Sequence, residues 1–86
     1  MEINMNISIE YCMEWNYEPR ALSLRDVLKE EFPSSIFKMI KSGGGVFEVE
    51  INGHLNIFSK KRTGRFPETY EVIKTIRDAI TERRIG

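Results

Sequence analysis

The chain has 86 residues, with 13 Lys and Arg against 13 Asp and Glu, so its formal net charge is zero. Hydrophobic residues are 41% and charged residues 30%, a globular balance that excludes a disordered, collagen-like or membrane-embedded chain. No apolar run approaches the ~18 residues of a membrane span, the first residues carry no signal-peptide pattern, and a neutral chain lacks the basic excess of a nucleic-acid binder.

The length allows one small domain, residues 1–86, which buries roughly 60–65% of its unfolded surface and has a thin margin of stability. Residues 2–11 alternate without a break, with Ile3, Met5, Ile7, Ile9 and Tyr11 on one face and Glu2, Asn4, Asn6, Ser8 and Glu10 on the other. Period two means a strand with one buried face. Residues 12–18 form a loop, and a helix is expected from about Pro19, because proline suits a first turn and biases Glu18 away from helical geometry. Ala21, Leu24, Val27, Leu28 and Phe32 then keep helical spacing up to Pro33.

Residues 35–41 read as a second strand, apolar on both faces, and Gly43, Gly44 and Gly45 supply a flexible turn. Val46, Phe47, Val49 and Ile51 alternate with Glu48 and Glu50 in a third strand. Asn52-Gly53 is a hairpin signal because both residues accept positive φ. The fourth strand, 54–59, points Leu55 and Ile57 inward. A basic loop, residues 60–65, leads to Phe66-Pro67. The last helix starts at Pro67 and Glu68, with Val72, Ile73, Ile76, Ala79 and Ile80 on its apolar face. Arg83 and Arg84 are expected in its last turn, where cations complement the dipole.

The order is therefore β-α-β-β-β-α. A β-α-β start pairs its strands in parallel and the hairpin adds antiparallel ones. Alternation in the first, third and fourth strands places both helices on one sheet face and solvent on the other. The fold class is α/β: a thioredoxin-like two-layer sandwich around a four-stranded mixed sheet.

One cysteine, Cys12, excludes a disulfide, a cysteine zinc cluster and a two-thiol redox cycle within the chain. With His54 as the only histidine, a zinc site would need carboxylates for most of its ligands, so no metal site is expected. A reducing, cytoplasmic setting fits this cysteine usage best.

Several segments in order carry a family resemblance. They are Ile9-Glu10-Tyr11-Cys12, then Tyr17, Pro19 and Arg20-Ala21, then Phe32-Pro33. Gly43-Gly44-Gly45-Val46-Phe47-Glu48-Val49 and Ile51-Asn52-Gly53 follow, and then Phe58-Ser59-Lys60-Lys61 and Gly64-Arg65-Phe66-Pro67. Together they cover nearly the whole chain, which resembles selenoprotein W and its cysteine-containing relatives, the Rdx group of thioredoxin-like proteins. The resemblance implies a redox protein with a Cys-x-x-Sec or Cys-x-x-Cys motif.

Here that motif is Cys12-Met13-Glu14-Trp15. Cys12 stands at the first motif position and Trp15 at the second, where no disulfide or selenenylsulfide can form. Two outcomes follow. One is single-thiol chemistry, in which Cys12 is the catalytic candidate and makes a mixed disulfide with glutathione or a thiol-bearing protein. The other is a non-catalytic binding module that has lost the redox pair. UGA, the selenocysteine codon, is read as tryptophan in some contexts, which offers another account of Trp15. No bound cofactor is implied; glutathione would enter as a co-substrate. No membrane or nucleic-acid partner is expected.

Each candidate also has a plainer reading. A thiol before a helix start gains from backbone amides, yet Glu10 and Glu14 oppose its ionisation and Arg20 is the nearest cation in sequence. A lone cysteine also behaves as a small apolar core residue. Met13 and Trp15 are partner-binding candidates, Trp15 with Tyr11 and Tyr17 in an aromatic patch, although Tyr11 also closes the strand's buried face. Gly43, Gly44 and Gly45 precede a strand rather than a helix, so the phosphate-loop pattern fails. Their expected role is steric, leaving room beside Cys12 for a substrate backbone or thiol. The cations of residues 60–65 read as a solvated loop, and His54 as an exposed turn residue.

Overall fold

A computed structural model describes residues 4–85. The elements are β1 (Asn6–Cys12), α1 (Glu18–Glu31), β2 (Ile36–Ser42), β3 (Phe47–Ile51), β4 (Leu55–Ser59), α2 (Lys60–Thr63) and α3 (Thr69–Thr81). The sheet order is β2-β1-β3-β4. β1 pairs in parallel with β2 and antiparallel with β3, so the strand that carries Cys12 is central. α1 packs on β1, α3 on β4, and the two helices touch each other. The two-layer α/β fold read from the sequence is the one formed.

β1 owes its place to its alternation. Ile7, Ile9 and Tyr11 lie opposite Ile51, Val49 and Phe47, and all six are buried. Ser8, Glu10, Glu48 and Glu50 point the other way and stay partly exposed. Glu2 and Ile3, the start of the alternating run, lie outside the described residues. On α1, Ala21, Leu24 and Leu28 are buried while Val27 is only half-buried. Burying these side chains against β1 supplies most of the helix's stability, at about 1.5–3 kcal/mol for each large one. α1 begins at Glu18, one residue before Pro19, with proline in its first turn.

Four expectations need correction. β4 does not alternate: Val49 pairs with Phe58 and Glu50 with Asn56, a bulge that leaves Ile57 without a partner opposite. Ile57, Phe58 and Ser59 are consequently all buried. Residues 60–63 are not loop but a single helical turn, α2, in which the Ser59 hydroxyl accepts the Arg62 N–H at 3.1 Å and Gly64 closes the turn at φ 76°. α3 begins at Thr69 rather than Pro67, behind a capping box made by Glu68 and Glu71. Finally, Arg83 and Arg84 lie beyond the last residue of α3, and Arg83 turns the chain at φ 60°. This returns Ile85 to the core, 4% exposed.

The Asn52-Gly53 hairpin forms with φ of 56° and 76°. Asn52 fastens it to β1, its side chain accepting the Asn6 N–H at 3.0 Å and its N–H donating to the Asn6 carbonyl at 2.7 Å.

Candidate functional site

Cys12 is the last residue of β1, opposite Ser42 at the end of β2. Its N–H donates to the Val46 carbonyl at 3.0 Å, and the next N–H, of Met13, donates to the Ser42 carbonyl at 2.9 Å. The chain leaving β1 is therefore pinned on both sides by the two ends of the glycine turn. The sequence reading of that turn as the neighbour of Cys12 holds. Cys12 is a free thiol, 0% exposed. Met13 and Trp15, by contrast, are 42% and 63% exposed.

The loop after Cys12 lies down on the turn. The Glu14 carboxylate accepts the Gly44 N–H at 3.3 Å. Gly44 and Gly45 have φ of 69° and 71°, a region that suits glycine. Around Gly44 there is open space, whereas a β-carbon on Gly45 would overlap the Trp15 ring. The room that the glycines create is thus filled at Gly45 by the chain's own indole. Asn16, at φ 59°, reverses the loop toward α1.

From Trp15 a row of rings runs across this end of the sheet. Trp15 meets Tyr17 edge-on at 6.2 Å, Tyr17 meets Phe66 at 4.6 Å, and Phe66 meets Phe47 at 5.5 Å. The Arg20 guanidinium sits 4.2 Å from the Phe66 centroid, and Lys60 Nζ lies 5.5 Å from Tyr17 and 5.4 Å from Phe66. Beside this row is a cleft of about 340 Å³ between the start of α1 and the segment entering α3. The sequence reading missed Phe47, Phe66 and Lys60 as members of one cluster. Its only signal was an aromatic and a proline at the entry to each long helix, Tyr17 and Pro19 for α1 and Phe66 and Pro67 for α3.

Tyr11 belongs to the core rather than to this row. It is 2% exposed, and its hydroxyl donates to Glu18 Oε2 at 3.2 Å. Burial, and then the Glu18 carboxylate, push its phenol above the usual range. Two further cations of the 60–65 segment are spent on structure: Arg62 donates to Asn56 at 2.7 Å, and Arg65 grips Glu71 with two bonds of 2.9 and 2.7 Å. Arg65, together with the Glu68 backbone N–H, holds the Glu71 carboxyl at about 2. His54 is exposed on the hairpin at the far end of β3 from Cys12, its Nδ1 3.0 Å from the Asn52 carbonyl. Among the described residues no group of three or more His, Cys, Asp or Glu is placed to hold a metal. Among the described residues no helix is long and apolar enough to cross a membrane.

Comparison with known proteins matches residues 6–78 to the model of the Rdx family. "Migration and invasion enhancer 1" of Mus musculus is 39% identical over 75 residues, covering 87% of this chain and 64% of that protein. The chain thus spans less than two thirds of that relative's length. "Selenoprotein W" of Danio rerio is 29% identical over 83 residues, 93% of this chain and 95% of that one. Among solved structures, a selenoprotein W-related protein of Vibrio cholerae superposes with a TM-score of 0.80 at 30% identity, covering 90% of this chain and 98% of the other. A protein of Bordetella parapertussis gives a TM-score of 0.80 at 26% identity, covering 86% and 95%.

Proposed function

The chain belongs to the Rdx family, and on that premise we propose that it is a redox protein working through the single thiol of Cys12. The Cys12 thiolate attacks a disulfide of glutathione or of a partner protein. One sulfur–sulfur bond forms to Cys12 as the old one breaks, and the leaving sulfur departs as thiolate. With Trp15 in the second motif position, release of Cys12 requires an outside thiolate to attack the mixed disulfide. Glutathione serves as co-substrate and not as a bound cofactor, and a reducing, cytoplasmic compartment supplies it.

The observation that carries this reading is the place of Cys12. It ends the central strand at the first motif position, with its own N–H on the Val46 carbonyl and the following N–H, of Met13, on the Ser42 carbonyl. Because the thiol is buried, reaction requires a local opening, which this reading assigns to the 13–16 loop parting from the glycine turn. Mass spectrometry after incubation with glutathione disulfide tests the reading. One glutathionyl group is expected on the native protein and none on Cys12→Ser, with return to free thiol on adding reduced glutathione. A native protein that stays unmodified, or reacts only when unfolded, overturns it.

A second reading, a binding module without redox chemistry, is favoured by one contrast: Cys12 is 0% exposed whereas Trp15 is 63% exposed. Pull-downs under reducing and under oxidising conditions separate the two. Partners retained equally by wild type and Cys12→Ser support the module, and partners trapped only by wild type under oxidising conditions support the thiol.

A further inference from the structure

We propose that the cleft between the start of α1 and the segment entering α3 docks an acidic stretch of a partner protein. One bulky apolar side chain of the partner fills the cleft, and flanking carboxylates pair with Arg20 and Lys60. The inference goes beyond the thiol reading, because it needs no covalent step.

The cleft has two kinds of wall. Leu24, Phe47, Phe66 and Pro67 make it apolar, and Arg20 and Thr69 give it a polar rim. Its volume of about 340 Å³ has room for a large side chain and lies at the small end of the range for small-molecule sites, about 300 to 1,000 Å³. It opens beside the row of rings that ends in Trp15, so a bound segment can continue along exposed aromatic surface of the kind enriched at interfaces.

Charge decides the partner's chemistry. The ion pairs among the described residues use Arg25, Arg65, Lys74, Arg77 and Arg84. Arg20 and Lys60 have no carboxylate partner there, although the chain as a whole is neutral. The three acids nearest Arg20 along the chain, Glu18, Glu14 and Asp26, are occupied by the Tyr11 hydroxyl, the Gly44 N–H and Arg25. Both cations are instead held against the Phe66 ring. A cation over a ring face keeps N–H donors for a further acceptor, and a guanidinium so placed is pre-positioned for a carboxylate.

The test pans phage-displayed random dodecapeptides on the full chain carrying Cys12→Ser, so that no thiol can trap a ligand. Selected peptides are expected to show Asp and Glu around one aromatic or large aliphatic residue. A synthetic copy of the best one should shift the amide resonances of Arg20, Phe47, Phe66 and Thr69. Combining Arg20→Gln with Lys60→Gln should weaken binding roughly tenfold or more, the loss of two charge-assisted contacts, and so should Asn and Gln in place of the peptide's acids. Affinity for the protein carrying only Cys12→Ser should also fall as salt is raised, which covers a double variant that folds poorly. Peptides without acids, shifts confined to another surface, salt-insensitive binding, or a preference for inorganic phosphate over the peptide each overturn the proposal. Failure here leaves glutathionylation of Cys12 unaffected, so the two ideas fall separately.

Discussion

The indole of Trp15 lies over Gly45, in the volume that a β-carbon there would take. One residue earlier in the turn, Gly44 has nearly the same φ but open space around it. The two glycines therefore answer different demands. Gly44 is needed for backbone conformation alone, Gly45 for conformation and for the ring above it.

That difference predicts unequal costs of substitution. Gly44→Ala should cost about 1–2 kcal/mol, the penalty of a left-handed φ for a residue with a β-carbon. In a domain of this size that lowers the thermal midpoint by roughly 4–8 °C per kcal/mol. Gly45→Ala should cost measurably more and should displace Trp15, with a red shift of its fluorescence. Adding Trp15→Ala should return part of the loss. Equal midpoints for the two alanine variants would show that the ring does not press on the turn.

Much of this is legible in the sequence, and the reasons are local. Ile7, Ile9 and Tyr11 announce β1 because one face of the strand is buried, and period two is the direct trace of that. Asn52-Gly53 announces the hairpin because positive φ selects those residues. The bulge in β4 was hidden, because Leu55-Asn56-Ile57-Phe58 reads as ordinary alternation until pairing with Val49 and Glu50 is known. The single turn α2 is too short for periodicity; its only marks are Ser59 and Gly64 at its two ends. The seat of Trp15 over Gly45 and the place of Cys12 opposite Ser42 both depend on which strands the sheet brings alongside β1. Register of that kind is a tertiary property that residue types alone do not state.

Replacing the tryptophan tests how much of the redox site survives. Trp15→Cys restores a Cys-x-x-Cys arrangement on the loop that follows β1. Under mild oxidation the variant should form an intrachain disulfide, losing two hydrogens by mass, and should reduce a disulfide substrate such as insulin when a thiol reductant is supplied. Wild type should do neither through an internal bond. If both thiols of the variant remain free after oxidation, the loop no longer holds the two motif positions within bonding range.

The Arg65–Glu71 pair makes a pH prediction away from that site. Glu71 titrates at about 2 in the folded protein instead of near 4.5, chiefly because Arg65 donates to it and then because the Glu68 N–H does. A carboxyl whose pKa is lower when folded stabilises the fold above its unfolded value and loses that contribution as pH falls. Stability should therefore decline between about pH 4.5 and pH 2. Both partners are partly in solvent, so the effect should be modest and weaken further in salt. Glu71→Gln keeps a side chain able to complete the capping box but should flatten this part of the acid limb. Acid melts of wild type and variant at low and high salt provide the check, and parallel acid limbs would remove the pair as a contributor.

The last prediction concerns how the enclosed thiol becomes reachable. The loop that follows Cys12 is tied to the glycine turn by the Glu14 carboxylate on the Gly44 N–H, on the exposed side of the turn. A hydrogen bond to a charged group at such a site contributes about 1 kcal/mol after solvent competition, which is roughly fivefold in the population of the opened loop. Glu14→Ala should therefore speed alkylation of Cys12 by roughly fivefold under native conditions while the global unfolding midpoint moves little. Gly45→Ala should also speed it, by displacing the ring rather than the carboxylate, but with a fall in the midpoint. Alkylation rates taken well below the melting transition, alongside denaturant curves, separate local opening from global unfolding. If the Glu14→Ala rate rises only in proportion to lost global stability, Cys12 is a core residue that reacts through unfolding. Its chemistry would then play no part in the folded protein.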